Sequence, residues 1–475
     1  MQRRDFIKTT GVFASGLTMA GGSTLASDLL QDKFTSHRPA VGERKFTSKA
    51  VEKVIKQVAK KIGDEELRWM FVNCYPNTLD TTVEFTMNGD RPDTFVITGD
   101  IPAMWLRDST AQVWPYLPLA NDDDDLKLMI KGLVNRQAAC VLLDPYANAF
   151  EKDPTVKSKW AKTDITDMKP GTHERKWEID SLCYAVRLAN GYWKKTGDAS
   201  IFDETWQKST RLIVKTFKEQ QRKDGVGPYT FSRVTQKYED TMANWGAGAS
   251  MKPCGLIVSS FRPSDDSTLL PFLIPSNYFA VASLMQLADI YANVVKDNAF
   301  ADECIALAEE VKAALKKYAV KKHLDFGEIL PFEVDGYGNQ YFMDDANVPS
   351  LLSMPYLDCM DVNDPLYQAT RKFVWSDSNP YFFKGKYEGI GGPHVGLDYV
   401  WPMSIIQKGL TSQNPEEMKW CLDQLKATHA DTGFMHESFH KDDPKKYTRS
   451  WFAWTNTLFG ELVYKVYQQH PELLK

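Results

Sequence analysis

Four short segments set carboxylates and arginines among tryptophans and turn-forming residues, a poor composition for a core and a good one for a polar pocket. In Ser260-Phe261-Arg262-Pro263-Ser264-Asp265-Asp266-Ser267, two adjacent carboxylates follow an arginine just before an apolar run. Crowded like charges raise a carboxyl pKa, as a general acid requires. In Thr432-Gly433-Phe434-Met435-His436-Glu437-Ser438-Phe439, one glutamate sits among apolar and aromatic neighbours. In Thr98-Gly99-Asp100-Ile101-Pro102-Ala103-Met104-Trp105-Leu106-Arg107-Asp108-Ser109, Asp108 can accept from a ligand hydroxyl, Arg107 can donate to one, and Trp105 can cover a ring face. In His173-Glu174-Arg175-Lys176-Trp177-Glu178-Ile179-Asp180-Ser181, Glu178 and Asp180 can line the same pocket, although Asp180-Ser181 also suits a helix cap. Two separated carboxylate loops with tryptophan walls fit glycoside hydrolysis, in which one acid protonates the leaving oxygen and another carboxylate activates water or attacks directly.

These loops need elements to hold them. Helical periodicity predicts helices over Ser48–Ile62, Asp64–Cys74, Leu126–Leu143, Ser181–Lys195, Glu204–Gln221, Asn277–Val295, Asp302–Tyr318 and Trp454–Gln469, with another opened by Asn414-Pro415-Glu416-Glu417. Thr81–Met87 and Asp93–Ile97 read as a short hairpin. Paired helices separated by long aromatic-rich loops point to an all-α toroid, an (α/α) barrel whose loop ends gather around a cavity. The expected organisation is one catalytic domain over 46–475, preceded by a polar linker over 28–45.

Composition narrows the function. The 475 residues carry 62 acids against 57 bases, a net charge of −5, which leaves no basic footprint for nucleic acid. No internal run approaches about 18 consecutive apolar residues, so no membrane span is expected in the mature chain. The seven cysteines are scattered without a Cys-x-x-Cys pair, and His and Asp residues lack ligand-like spacing, so neither a disulfide framework nor a metal site is expected. The 13 Trp, 20 Tyr and 25 Phe suit a site part apolar and part wet. The N-terminus, with Arg3-Arg4, then Phe6, Ile7 and Lys8, a mildly apolar stretch and a small-residue site ending at Ala26, reads as a bacterial twin-arginine export signal over 1–27 and implies a periplasmic address.

The segments Gly99–Ser109, Phe261–Asp266, Ile274-Pro275-Ser276-Asn277 and Met435–Phe439 together closely resemble glycoside hydrolase family 125. The resemblance runs from about residue 45 to the C-terminus. It implies an (α/α)6 barrel and a metal-independent, cofactor-free, inverting exo-α-1,6-mannosidase acting as a monomer on α-mannoside glycans. It also implies that the general acid is Asp265 or Asp266, with Asp266 preferred, and that Glu437 is the general base. Trp105, Arg107 and Asp108 would line the terminal-mannose subsite. Glu178, Asp180, Arg262, Asn277, His394 and His436 are the further expected sugar-binding residues. The alternatives are another helical-barrel glycosidase of glucoamylase or trehalase type, or a non-catalytic carbohydrate-binding protein.

Overall fold

Two kinds of helix start build this chain. The first is closed by its own side chains, which satisfy backbone N–H groups that have no partner in the first turn. Ser48 accepts from the N–H of Val51 ahead of Lys49–Ala59, and Asp64 from Leu67 ahead of Glu65–Cys74. Asp123 caps Asp124–Leu143, Asp203 caps Glu204–Gln220, Asp297 caps Asn298–Tyr318, Asp364 caps Pro365–Val374 and Asn414 caps Pro415–Thr428. The second kind has no side-chain cap. Leu106–Val113, Ile179–Thr196, Ile274–Ile290, Pro402–Leu410 and Ala453–Gln469 all begin from an extended residue whose side chain makes no capping hydrogen bond.

The uncapped helices are the inner layer. Pro402–Leu410 packs on Ala453–Gln469, which packs on Leu106–Val113, then Ile179–Thr196, then Ile274–Ile290. Every residue of Leu106–Val113 is buried. Capped helices cover them from outside. Asp124–Leu143 lies on Ile179–Thr196 and Glu204–Gln220, Asn298–Tyr318 on Ile274–Ile290, Pro415–Thr428 on Pro402–Leu410, and Glu65–Cys74 on Ala453–Gln469. The segment Ile274–Val295 is long and apolar enough to cross a membrane by length and composition, and here it packs between Ile179–Thr196 and Asn298–Tyr318.

Strands are short. The hairpin forms as Val83–Asn88 against Arg91–Val96. Two three-stranded sheets matter for the site: Ala149–Phe150 between Met104–Trp105 and Thr172–Glu174, and Ser438–His440 between Tyr399–Val400 and Asp443–Thr448. Each predicted helix is present with its ends shifted by a few residues. Leu106–Val113 was not predicted because its sequence, rich in polar residues yet wholly buried, shows no apolar stripe.

The computed structural model describes residues 34–475, so the expected export signal and its cleavage point lie outside the described residues. The part of the expected linker from His37 onward belongs to the same unit as the helices. Arg38 and Arg44 pair with Glu52 and Asp80, and the backbone N–H of Lys45 bonds the carbonyl of Asp80. That stretch is docked by charge rather than free.

The glycine-rich stretch Gly389-Ile390-Gly391-Gly392 packs closely against its own chain. A Cβ at Gly391 would sit 2.2 Å from the carbonyl oxygen of Tyr399, and one at Gly389 would sit 2.5 Å from Val400 Cγ1. Because a backbone oxygen cannot swing aside, Gly391→Ala is expected to destabilise by about 1–3 kcal/mol. A lowered thermal midpoint with the fold retained checks this, and an unchanged midpoint would show that the strand end yields freely.

Candidate active site

The uncapped N-termini of the inner helices surround one pocket. Trp105, Trp401 and Phe452 are the residues just before three of those helices, and Arg107, Asp108 and Trp454 lie in their first turns. All six line the pocket, together with Thr98, Ile101, Pro263, Ser264, Asp265, Asn347, His394, Glu437 and Arg449. Helix N-termini carry partial positive charge, which favours carboxylates there. A larger, more apolar cleft bordered by Arg222, Tyr238, Met242 and Ser260 is lined by no carboxylate.

Arg107 organises the pocket floor. Its Nη1 donates to Glu178 Oε2 and, at 3.3 Å, to Asp180 Oδ2; its Nη2 donates to Asp265 Oδ1 at 3.2 Å. Asp108 Oδ2 lies 3.5 Å from Nε. Asn148 Nδ2 lies within 3.2–3.3 Å of Glu174, Glu178 and Asp265. Lys176 donates to the carbonyl of Asp265 at 2.7 Å and to Asp240 at 3.2 Å. One buried guanidinium cannot keep this many carboxyls ionised. Burial, opposed by Arg107, pushes Asp108 and Asp180 up to about 6, and pushes Glu178 well above the usual carboxylate range. At Asp265 burial is outweighed by Arg107 and Lys176, which bring it down to about 2.

Asp265 and Asp266 sit in a tight turn. The N–H of Arg262 bonds the carbonyl of Asp266 at 2.7 Å, that of Asp265 bonds the carbonyl of Arg262 at 2.9 Å, and Asp265 takes a left-handed backbone at φ 68°. Such a conformation strains a non-glycine residue and recurs at functional sites. The turn aims the two side chains differently. Asp265 is half-buried and lines the pocket. Asp266 is fully buried, and its Oδ1 bonds His394 Nδ1 at 2.8 Å. Of the two, Asp265 lines the pocket and Asp266 does not. Burial alone would lower His394, but the bond to Asp266 and the nearby charges of Asp265 and Glu437 raise it to about 9, so it lines the pocket as a cation.

Glu437 also lines the pocket; it precedes the strand Ser438–His440, and its Oε1 lies 3.2 Å from Arg449 Nε. Arg449 also donates to Asp100 at 2.9 Å. Gly99 at φ 116° lets Trp451 lie close, since a Cβ there would meet its ring at 2.9 Å. The indole N–H groups of Trp105, Trp401 and Trp454, and Asp108 Oδ2, have no hydrogen-bond partner in the protein. These three donors and one acceptor around the pocket suit a ligand rich in hydroxyls.

Other expected sugar contacts lie elsewhere. Arg262 is buried against Glu333 at 2.7 Å, where Glu333 also receives the N–H groups of Leu269 and Leu270; it anchors the Asp265 turn from behind. Asn277 bonds both the N–H and the carbonyl of Ile257, fastening the loop to its helix. His436 reaches the carbonyls of Arg449 and His429 and stacks on Tyr447 at 3.9 Å. Glu178 and Asp180 are fully buried behind Arg107 and do not border the cavity. Sequence reasoning missed Lys176, Asn148 and Asn347. Lys176 was visible inside a quoted segment; Asn148 and Asn347 carried no local signal.

The sequence model described as metal-independent alpha-mannosidase (GH125) matches residues 64–464. The chain belongs to that family. A relative, the meiotically up-regulated gene 157 protein of Schizosaccharomyces pombe, is 41% identical over 465 residues, covering 92% of this chain and 89% of its own. A solved structure of a metal-independent α-mannosidase from Streptococcus pneumoniae, a non-productive substrate complex with α-1,6-mannobiose, is 44% identical with a TM-score of 0.86, over 90% of this chain and 100% of that one. This GH125 chain has, among the described residues, no group of three or more His, Cys, Asp and Glu side chains arranged to hold a metal ion.

The raised histidine has a consequence for stability. A folded value of about 9 against an ordinary 6.5 stabilises the fold fully below pH 6.5 and is lost as pH rises through about 9. The thermal midpoint is therefore expected to fall between pH 6.5 and 9, and His394→Asn to flatten that slope. An unchanged slope in the variant would remove His394 as its source.

Proposed function

We propose that this chain is an exo-acting α-1,6-mannosidase that inverts the anomeric centre, with Asp265 as general acid and Glu437 as general base. The observation that carries the reading is that these two carboxylates face one pocket whose remaining walls are tryptophans and charged hydrogen-bonding groups. Family membership supports the activity, and the α-1,6-mannobiose bound by the Streptococcus pneumoniae relative supports the linkage. The order of inner-helix contacts supports an (α/α)6 ring closed through the segment between Ile290 and Pro402. The twin-arginine pattern at Arg3-Arg4 supports export to the periplasm.

In this reading the terminal mannose lies against Trp105, Trp401 and Trp454. Asp108 accepts from its hydroxyls, and Arg107 and His394 donate to them. Asp265 delivers a proton to the glycosidic oxygen as the C–O bond breaks. Glu437 takes a proton from the water that attacks the opposite face. Inversion needs roughly 6.5–9.5 Å between the two carboxyls to accommodate that water.

The test is kinetic. On α-1,6-mannobiose, Glu437→Gln and Asp265→Asn are each expected to fold and to lose at least about 10²–10⁴-fold in kcat/KM. Asp266→Asn, acting only through His394, is expected to lose less. Near wild-type turnover by Glu437→Gln would remove it from the mechanism, and a larger loss at Asp266 than at Asp265 would return the acid to Asp266. Rates with and without EDTA are expected to match. Cleavage of glucosides in preference to mannosides would favour a glucoamylase-like reading.

A further inference from the structure

Inverting chemistry asks Asp265 to arrive protonated, yet its surroundings favour its anion. Arg107 donates to it, Lys176 donates to its carbonyl, and His394 adds positive charge nearby. The proton has to be stored close by and out of solvent. Glu178 is the carboxyl so placed. It shares the donors Arg107 and Asn148 with Asp265, is fully buried and is absent from the pocket lining, so it stands behind the acid as seen from the substrate. Two groups hold the pair in register: the Arg107 fork grips Glu178 with Nη1 and Asp265 with Nη2, and Asn148 Nδ2 reaches both carboxyls.

We propose that Glu178 is the proton store of the general acid, passing its proton to Asp265 as Asp265 protonates the glycosidic oxygen. The inference rests on Asp265 being the acid. The balance is closed. The O–H bond of Glu178 breaks as one forms on Asp265. The proton on Asp265 moves to the glycosidic oxygen, which keeps the electron pair of the broken C–O bond. The attacking water gives its proton to Glu437. After product leaves, Glu437 releases that proton to solvent and the Glu178–Asp265 pair regains one, so no oxidant, reductant or co-reactant is needed.

The groups facing Glu178 fit this role. Arg107 comes from Leu106–Val113, Asp180 and Ser181 from Ile179–Thr196, Asn148 and Tyr229 from flanking loops, and Asp265 from the tight turn. Burial, with Asp180 and Asp265 as like charges, keeps Glu178 protonated against the pull of Arg107. Neither carboxyl alone meets both needs: Glu178 holds a proton but cannot reach substrate, and Asp265 reaches substrate but does not hold a proton.

Leaving-group dependence separates proton supply from positioning. The test compares wild type, Glu178→Gln and Asp265→Asn on α-1,6-mannobiose, whose leaving alkoxide must be protonated, and on 2,4-dinitrophenyl α-mannoside, whose leaving phenolate need not be. Glu178→Gln preserves shape and hydrogen bonds but stores no transferable proton. It is expected to lose at least about 100-fold in kcat/KM on mannobiose, to stay within about tenfold on the aryl mannoside, and to move the basic limb of the mannobiose pH profile to lower pH. Asp265→Asn is expected to show the same contrast between substrates. If Asp265→Asn shows the contrast and Glu178→Gln slows both substrates equally, or neither, the proton store is overturned and the acid assignment stands. If Asp265→Asn slows both substrates equally, the acid assignment itself falls. Should Glu178→Gln lack a native melting transition, Glu178→Asp carries the test: a titratable carboxyl one methylene farther from Asp265 is expected to slow mannobiose selectively, and equal slowing of both substrates contradicts the proposal.

Discussion

One guanidinium among four carboxyls is the constraint on which this site depends. Arg107 contacts Asp108, Glu178, Asp180 and Asp265, all within a region largely closed to water. Burying charge is costly unless geometry and further hydrogen bonds compensate for the lost hydration. The compensation here is partial: burial pushes Asp108, Glu178 and Asp180 up while Arg107 and Lys176 hold Asp265 down. The same arrangement fixes Asp265 in space and holds Glu178 on the same donors.

The helical layers explain why such a cluster is tolerated. Outer helices close their own first turns with Ser, Asp or Asn side chains. Inner helices omit the cap and begin at residues that wall the pocket. Their partial positive charge collects where the carboxylates and a hydroxyl-rich ligand need it. Short sheets then set individual side chains: Met104–Trp105 presents Trp105, and the strand after Glu437 is pinned between two partners. Arg262 and Asn277 hold the Asp265 turn from behind, which is structural work expressed at the site.

Legibility in the sequence followed the range of the interaction. Outer helices were readable because periodicity and caps are local signals, and Asn414-Pro415 placed its helix start within a residue. Leu106–Val113 escaped because a helix buried on every side shows no stripe. The motifs located Trp105, Arg107, Asp108, Asp265 and Glu437 at the pocket, since charge among aromatics is itself unusual. They could not separate Asp265 from Asp266, because adjacent residues differ only through a left-handed turn visible in three dimensions. For the same reason Arg262, Asn277 and His436 looked like ligand contacts, although their partners, Glu333, Ile257 and the carbonyls of His429 and Arg449, are distant in sequence or belong to the backbone.

The central claim is that Glu437 directs a water, rather than attacking sugar itself, while an acid in the same pocket protonates the leaving oxygen. Proton NMR of the protein acting on α-1,6-mannobiose reads this directly through the anomer released first. The account predicts β-mannose at the earliest times, followed by mutarotation. First appearance of α-mannose would require a covalent intermediate on a carboxylate and would contradict it.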